Sequence, residues 1–277
     1  MSTTQATVDF SFLRKIVQAH SHNVLDPSRD YVFQARLANI VRNRGMRGLG
    51  ELVEYLRSKH DSALELAIAD AMTINETSFF RDSRPFELLR LDLLPKLIEA
   101  RRSVRALRMW SAACSTGQEA YSLAILMREH FPSLANWQVR VEGTDICGDV
   151  VKRAQAGRFQ RIEVNRGLPA RYLVRYFEQD GNEWVVKPQV RSLCNFQKVN
   201  LCKFPLPFRA KFDVIFLRNV MLYFAVEHRR AVLAEVHRLL APDGVLFLGS
   251  TEQPADPSLW WAMLSGGTCH FRPRIPS

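Results

Sequence analysis

The fold of this chain is decided by the stretch ALRMWSAACSTG at residues 106–117. Its first part predicts a β-strand, Ala106–Ala112, and its small residues predict a loop that leads into a helix over 118–131. Small residues let backbone amides approach a ligand, and the helix N-terminus adds a positive dipole. With one glycine, the loop is neither a dinucleotide fingerprint nor a P-loop, which argues against hydride and phosphoryl transfer. A tight turn that requires small residues is the alternative explanation.

Strand and helix patterns continue to alternate after this loop. Strands are predicted at 138–144, 212–217 and 245–250, and helices at 148–156 and 226–240. Alternation of this kind predicts a parallel sheet that helices cover on both faces, with ligands at the carboxyl ends of the strands. The informative loops are therefore those after Ala112, Thr144, Val199, Leu217 and Ser250.

Two regions depart from the alternation. Residues 1–74 carry apolar residues at helical spacing and no strand signal, so we expect a helical N-terminal domain that precedes an α/β domain at 75–277. Around Asp180-Gly181-Asn182 the pattern predicts a hairpin within a small β-insertion at about 172–196.

Composition narrows the class of protein. A net charge of +10 suggests an acidic partner, which leaves nucleic acid, a membrane surface or an acidic protein, or else a basic surface without one partner. The five cysteines form no C-x-x-C pair, so neither disulfides nor a metal site is expected. No apolar run is long enough to cross a bilayer, and residues 1–9 do not resemble a secretion signal, so we expect a cytoplasmic protein.

Two carboxylates mark the predicted site. Asp145 ends the second strand, where an acidic residue can accept hydrogen bonds from the ribose hydroxyls of a nucleoside. Glu119 lies in the first turn of the next helix. Either residue can also serve only as a cap or a partner of a helix dipole. Together they predict a pocket for a nucleoside with a cationic or amine-bearing tail.

Four segments resemble the CheR family, the chemotaxis receptor glutamate methyltransferases: NETSFFRD at 75–82, WSAACSTG at 110–117, GTDI at 143–146 and RNVMLYF at 218–224. The resemblance covers nearly the whole chain. It implies an S-adenosylmethionine-dependent methyltransferase fold, an α/β Rossmann-like sheet with a small inserted β-subdomain, preceded by an all-α domain. The family usually has Gly-Glu-Glu-Pro-Tyr-Ser where this chain has GQEAYS at 117–122, so the second carboxylate is kept as Glu119.

The resemblance also implies the site residues. The cofactor S-adenosyl-L-methionine, which leaves as S-adenosyl-L-homocysteine, is expected to contact Asn75, Thr77, Arg81, Glu119, Asp145, Asn200, Leu201, Arg218 and Asn219. Arg81 and Tyr223 are the expected catalytic residues: Arg81 guides the acceptor carboxylate, and Tyr223 orients it or serves only as a core aromatic residue. No metal is implied.

The expected partners are methyl-accepting chemotaxis receptors, whose acidic helical bundles the family recognises through arginines on an N-terminal helix. Arg36 and Arg42 match that pattern and Arg44 is additional, while a solvated helix face is the alternative. Regulatory proteins are a further open class of partner. Some members also bind a receptor's C-terminal pentapeptide as an extra strand of the insertion. The turn here is short, so we expect no pentapeptide binding.

Two other functions fit parts of the sequence. A nucleic-acid methyltransferase fits the charge, but amino-methylating DNA enzymes carry an Asp/Asn-Pro-Pro-Tyr motif where this chain has RNVM at 218–221. A non-catalytic scaffold is the second, and the intact Arg81, Glu119, Asp145 and Asn219 argue against it. We expect no nucleic-acid partner and no insertion into a membrane.

Overall fold

The computed structural model describes residues 8–275, which form two compact units. The first unit contains the chain up to Ile74 and the short segment Tyr223–His228, and the second contains Asn75–Leu222 and the residues from Arg229 onward. The expectation about a secretion signal rests largely on residues 1–7, which lie outside the described residues.

The N-terminal segment is helical. Its helices are α1 Phe10–Ser21, α2 Tyr31–Asn43, α3 Leu49–Ser58 and α4 Ser62–Ala71, with a 3-10 turn at Pro27–Arg29. Asp9 and Asp61 cap α1 and α4, because each side chain accepts a backbone N–H of the first turn. The apolar faces of the helices share one core, whose fully buried members include Leu13, Val17, Phe33, Leu37, Leu52 and Ile68.

A bent helix opens the second unit. It consists of α5 Arg84–Leu88, a π-helical turn Leu89–Leu93 and α6 Leu94–Ala100. The π turn directly precedes Pro95, which has no N–H to donate and cannot continue a regular α-helical ladder.

The rest of the described chain alternates between strands and helices. The strands are β1 Ala106–Ala112, β2 Gln138–Asp145, β3 Arg158–Gln160, β4 Phe177–Asp180, β5 Glu183–Val186, β6 Cys194–Lys198, β7 Phe212–Leu217, β8 Leu240–Leu248, β9 Trp260–Ser265 and β10 Thr268–Pro273. The helices are α7 Gln118–His130, α8 Gly148–Ala156, α9 Arg161–Val164, α10 Ala170–Tyr176, α11 Pro188–Arg191 and α12 Val226–Leu239.

Seven of these strands form one sheet, in the order β6-β2-β1-β7-β8-β10-β9. The five strands from β6 to β8 are parallel, which confirms the predicted parallel sheet, and β10 pairs antiparallel with β8 and β9. The chain runs from β1 outward to β2 and β6 and then returns to β7 on the other side of β1. The strand order therefore reverses between β1 and β7, and such a switch point is where open α/β sheets bind ligands.

One strand differs from its prediction. The strand expected at 245–250 is β8, which begins earlier at Leu240 and ends at Leu248. It begins earlier because Leu240 already pairs with Phe212, across an irregular stretch of the β7–β8 ladder. It ends earlier because the N–H of Gly249 donates to the carboxylate of Glu252, 2.7 Å away, instead of to a neighbouring strand.

The small sheet also differs from the insertion expected at about 172–196. Its order is β3-β5-β4, so it takes in Arg158–Gln160 before the expected start, whereas Cys194–Lys198 at the expected end is β6 of the large sheet. The predicted hairpin is present as β4 and β5, joined by the two residues Gly181 and Asn182. The three-residue strand β3 is too short to be visible as a period-2 pattern.

Within residues 8–275, none of the helices has both the length and the apolar character that are needed to cross a membrane.

Candidate functional site

The loop after β1 has an unusual backbone. Ala113, Ser115 and Gly117 all have positive φ, at 59°, 51° and 95°. The loop is held across the sheet edge, because the N–H of Cys114 donates to the carbonyl of Thr144 over 2.8 Å. A side chain at position 117 would bring a Cβ to 3.0 Å from Ala154 Cβ, so glycine is needed there for both its φ and its close approach to α8.

Asp145 fastens this loop to the end of β2. Its Oδ2 accepts the N–H of Ser115 at 2.9 Å, and its Oδ1 accepts the N–H of Cys147 at 3.0 Å. The carboxylate is buried, with 6% of the residue exposed. These two bonds orient the carboxylate of Asp145 at the end of β2.

Arg218 follows β7 on the other side of the switch point and is buried, with a side chain only 2% exposed. Its guanidinium donates to Glu119 Oε2 at 3.1 Å, to Asp82 Oδ2 at 2.6 Å and to the carbonyl of Arg81 at 3.1 Å. Glu119 also accepts from Ser111 Oγ of β1 at 2.8 Å. One buried arginine thus joins the segment before α5, the first turn of α7 and the end of β7.

The segment 75–82 lies against the same loop. The carbonyl of Asn75 accepts Ser115 Oγ–H at 2.8 Å, and the N–H of Phe80 donates to Ser122 Oγ of α7 at 2.9 Å. Arg81 is half-buried and donates to the carbonyl of Glu76, and Thr77 is half-buried between them. The structure therefore brings Asn75, Arg81, Glu119, Asp145 and Arg218 together around the end of β1.

Asn200 and Leu201 follow β6 at this edge. The N–H of Val199 donates to the carbonyl of Asp145 at 2.9 Å, which joins the ends of β6 and β2. The side chain of Asn200 accepts the N–H of Cys202, and Leu201 is buried.

Glu252 is a site residue that sequence reasoning missed. It is buried, and its carboxylate accepts backbone N–H groups from Gly249 and from Asn219 through Leu222. The available signal was an acidic residue in the loop after Ser250, which was one of the loops predicted to be informative. The helix-cap and ribose-binding patterns that identified Glu119 and Asp145 do not apply to such a position.

Tyr223 belongs to the first unit. It is half-buried, and its carbonyl accepts the N–H of Val24 at 2.8 Å. The next residue, Phe224, forms a β-bridge with Asn23. These contacts fix the backbone of Tyr223, and they leave its expected part in the chemistry as a prediction.

The three arginines predicted to bind receptors have different surroundings. Arg36 is half-buried and donates to the carbonyl of Thr73, and Arg44 pairs with Asp61 at 3.0 Å. The side chain of Arg42 is exposed and forms no hydrogen bond or ion pair within residues 8–275. Arg36 and Arg44 are therefore partly engaged in holding the first unit together, a use that helical spacing does not reveal.

Two carboxylates of the site act on the thiol of Cys114. Burial raises the pKa of the Cys114 thiol well above its ordinary value, and the charges of Asp145 and then Glu119 raise it further. A thiol in such surroundings stays protonated and does not act as a nucleophile.

The residues present fit S-adenosylmethionine. A buried carboxylate such as Asp145 suits ribose hydroxyls, and the carboxylate of Glu119 suits an amine-bearing cofactor. Arg218 Nε is buried and has no hydrogen-bond partner among the described residues. Because a buried donor without an acceptor is costly, this atom fits a site that a ligand completes.

Two family models match the chain in succession. The all-alpha domain of CheR methyltransferase matches residues 8–73, and the S-adenosylmethionine-binding domain of CheR methyltransferase matches residues 75–266. Both matches agree with the resemblance seen in the four sequence segments.

Curated relatives agree with the family models. Chemotaxis protein methyltransferase 1 of Pseudomonas aeruginosa is 39% identical over 251 residues, which cover 89% of this chain and 90% of the relative. Chemotaxis protein methyltransferase Cher2 of Pseudomonas putida is 35% identical, and the match covers 91% of this chain and 92% of the relative. A chemotaxis protein methyltransferase of Vibrio parahaemolyticus is 35% identical, and the match covers 88% of this chain and 87% of the relative. The chain therefore belongs to the CheR methyltransferase family and is an S-adenosylmethionine-dependent methyltransferase.

Proposed function

We propose that this enzyme methylates glutamate side chains on the cytoplasmic helices of chemoreceptors and so works in chemotaxis adaptation in the cytoplasm. The observation that carries the proposal is the group formed by Asp145, Glu119 and the buried Arg218 at the switch point, in a chain whose relatives are named chemotaxis protein methyltransferases. We assign residues 75–277 to catalysis and residues 1–74 to receptor recognition.

The chemistry requires the protein mainly to position the two reactants. The bound cofactor supplies an electrophilic methyl group, which the acceptor oxygen takes as the bonding electron pair returns to sulfur. A glutamate has an ordinary pKa of about 4.3 and is ionised at neutral pH, so no general base is needed. The residues around β1 and β7 have to hold the reactants in line and exclude water.

The expected cofactor contacts have distinct tasks. Asp145 and Glu119 supply the carboxylates of the site, and Arg218 holds the carboxylate of Glu119 in place through an ion pair of 3.1 Å. Arg81 is the proposed guide for the acceptor carboxylate, since its guanidinium makes one bond, to the carbonyl of Glu76, among the described contacts. Tyr223 is proposed to orient the acceptor.

Receptor recognition is proposed to centre on Arg42. It is exposed near the end of α2, where Asn39 of the same helix is also exposed. A cation on an exposed helix face suits an acidic helical bundle. Arg36 and Arg44 contribute charge nearby, with the limitation that each already has a partner in the first unit.

A labelled-methyl assay tests the substrate. We expect label from S-adenosylmethionine to enter the receptors of isolated bacterial membranes and to be released by base as methanol, because methyl esters are base-labile and methylated amines are not. An excess of S-adenosylhomocysteine is the control and should abolish labelling. Base-stable label, or label in added DNA, would contradict the proposal.

A methyltransferase of nucleic acid is disfavoured by the loop after β7. The backbone N–H groups of residues 219–222 are directed at Glu252. They are therefore committed within the protein, and the loop lacks the prolines of the motif that binds an extruded base.

Receptor C-terminal pentapeptides are proposed not to bind. The hairpin that would accept such a peptide has a turn of two residues, and Glu178, Gln179 and Asp180 on its outer strand β4 are exposed. Glu178 on that edge would repel a peptide carboxylate, whereas Asp180 is paired with Arg158 at 2.7 Å. Titration calorimetry with a receptor pentapeptide should show no binding, and micromolar or tighter affinity would refute the proposal.

A further inference from the structure

Glu252 gathers an unusual number of backbone donors. Its Oε2 accepts the N–H of Asn219 and of Gly249, both at 2.7 Å. Its Oε1 accepts the N–H groups of Val220 at 3.0 Å, Met221 at 2.8 Å and Leu222 at 3.3 Å. Four successive amides of one loop thus converge on a single carboxylate, as in the concave anion sites that consecutive N–H groups form.

A carboxylate suits this arrangement, and an amide does not. All five groups are donors, and a carboxylate is purely an acceptor with two equivalent oxygens. A glutamine of the same shape would turn an NH₂ group toward two or three of the five donors. Glu252 is itself buried, so water cannot replace the lost acceptors at low cost.

The loop that Glu252 holds carries a predicted cofactor contact. Asn219 has φ of 60°, a left-handed conformation that asparagine tolerates better than most residues but that still needs support. Its N–H donates to Glu252, and its side-chain Nδ2 lies near Gly249. A Cβ on Gly249 would lie 2.6 Å from Glu252 Oε2 and 2.9 Å from Asn219 Nδ2, so Gly249, Glu252 and Asn219 form one close-packed group.

We propose that Glu252 is a positioning residue for the cofactor: by binding the amides of residues 219–222, it fixes Asn219 at the edge of the S-adenosylmethionine site. Gly249 is the small residue that allows the carboxylate and the Asn219 side chain to meet. The inference deepens the proposed function, and its cofactor part rests only on the binding of S-adenosylmethionine by this family.

Glu252→Gln is the main test. We expect the dissociation constant for S-adenosylhomocysteine, measured by titration calorimetry, to rise at least tenfold, and KM for S-adenosylmethionine to rise with it. A role in stability alone would lower the melting temperature and leave the affinity of the folded protein unchanged. That result would overturn the proposal.

Glu235→Gln is the matched control. Glu235 is also a largely buried carboxylate that accepts a backbone N–H, that of Leu206 at 2.9 Å, and it pairs with Arg238 outside the site. Its loss should lower the melting temperature while the affinity for S-adenosylhomocysteine stays within twofold of the wild type.

Gly249→Ala provides a second variant in case Glu252→Gln does not fold. It keeps the carboxylate and adds a single methyl group that must push Glu252 and Asn219 apart. We expect its affinity for S-adenosylhomocysteine to fall at least fivefold. Wild-type affinity in this variant would count against the proposal even if Glu252→Gln could not be purified.

The proposed function and the inference about Glu252 can be tested independently of each other. If the wild type binds S-adenosylhomocysteine and both variants bind it weakly, the inference about Glu252 holds even when no receptor is methylated. If the wild type methylates receptors and both variants bind the cofactor normally, the inference about Glu252 fails and the proposed function stands.

Discussion

Two arginines hold opposite ends of the central strands and do so differently. At the amino ends, Arg101 pairs with Asp213 at 2.8 Å and with Asp243 at 2.5 Å, and these two carboxylates raise the pKa of its guanidinium. At the carboxyl ends, Arg218 pairs with Glu119 and Asp82, and its Nε has no hydrogen-bond partner among the described residues. The amino end is a closed ion cluster that serves stability, whereas the carboxyl end keeps a buried donor for a ligand.

The largest expected effects come from replacing either arginine, and they test whether the two ends of the strands differ in function. Arg218→Met should lower the free energy of unfolding by about 3–5 kcal/mol, because it leaves Glu119 without its cation. The affinity for S-adenosylhomocysteine, measured by calorimetry, should also fall at least a hundredfold. Arg101→Met is the matched control and should lose stability while keeping cofactor affinity; equal loss of affinity in both variants would erase the distinction between the two ends.

Ligand-induced stabilisation should sharpen the same contrast. At a hundredfold excess over the dissociation constant, a ligand stabilises the folded state by about 2.7 kcal/mol. Thermal unfolding at one fixed concentration of S-adenosylhomocysteine should show this gain in the wild type and in Arg101→Met. In Arg218→Met the gain should be at most about 0.4 kcal/mol, because its dissociation constant would then be no lower than the ligand concentration. A gain of about 2.7 kcal/mol in Arg218→Met would mean that the buried guanidinium of Arg218 does not serve the cofactor.

A third prediction concerns two arginines of α2: the side chain of Arg42 is exposed, whereas that of Arg36 donates to the carbonyl of Thr73. Arg42→Glu should reduce receptor methylation at least tenfold, because it places a negative charge against an acidic helical bundle. Cofactor affinity should stay within twofold. Lys15→Glu makes the same change of charge on the exposed side of α1 and should leave methylation close to wild type; if both variants lose methylation equally, net charge rather than a specific surface is responsible.

The smallest expected effect is that of Arg36→Gln. Loss of its charged hydrogen bond to the Thr73 carbonyl should lower the free energy of unfolding by about 1–2 kcal/mol. Urea denaturation would measure it. An unchanged midpoint would show that Arg36 is available to a partner after all, which would restore it to the recognition surface beside Arg42.

The sheet could be predicted because its signals are local. The strand Phe212–Leu217 and the helix Gly148–Ala156 have in the structure the bounds that their sequence pattern predicted. Asp145 could be recognised because its place at the end of a predicted strand is visible in the sequence, and that place alone indicates a ribose-binding carboxylate. The family membership followed from short contiguous segments, each readable without a three-dimensional partner.

What the sequence did not reveal depends on distant partners. Glu252 acts on amides about thirty residues earlier, and nothing near it in the sequence marks that contact. Arg36 looked like a surface cation because helical spacing does not show that Thr73 lies within reach. β3 was missed because its three residues become a strand only through pairing with β5.

The buried thiol of Cys114 has a consequence for the enzyme's chemistry under stress. Oxidants and alkylating reagents attack thiolates, and this thiol is held in its protonated form and is 1% exposed. The loop after β1 can therefore contain sulfur without becoming a redox sensor. Cys269 on β10 is the exposed cysteine of the described chain, and burial raises the pKa of its thiol as well. Its exposure means that peroxide should oxidise Cys269 before the other cysteines and leave methyl transfer intact.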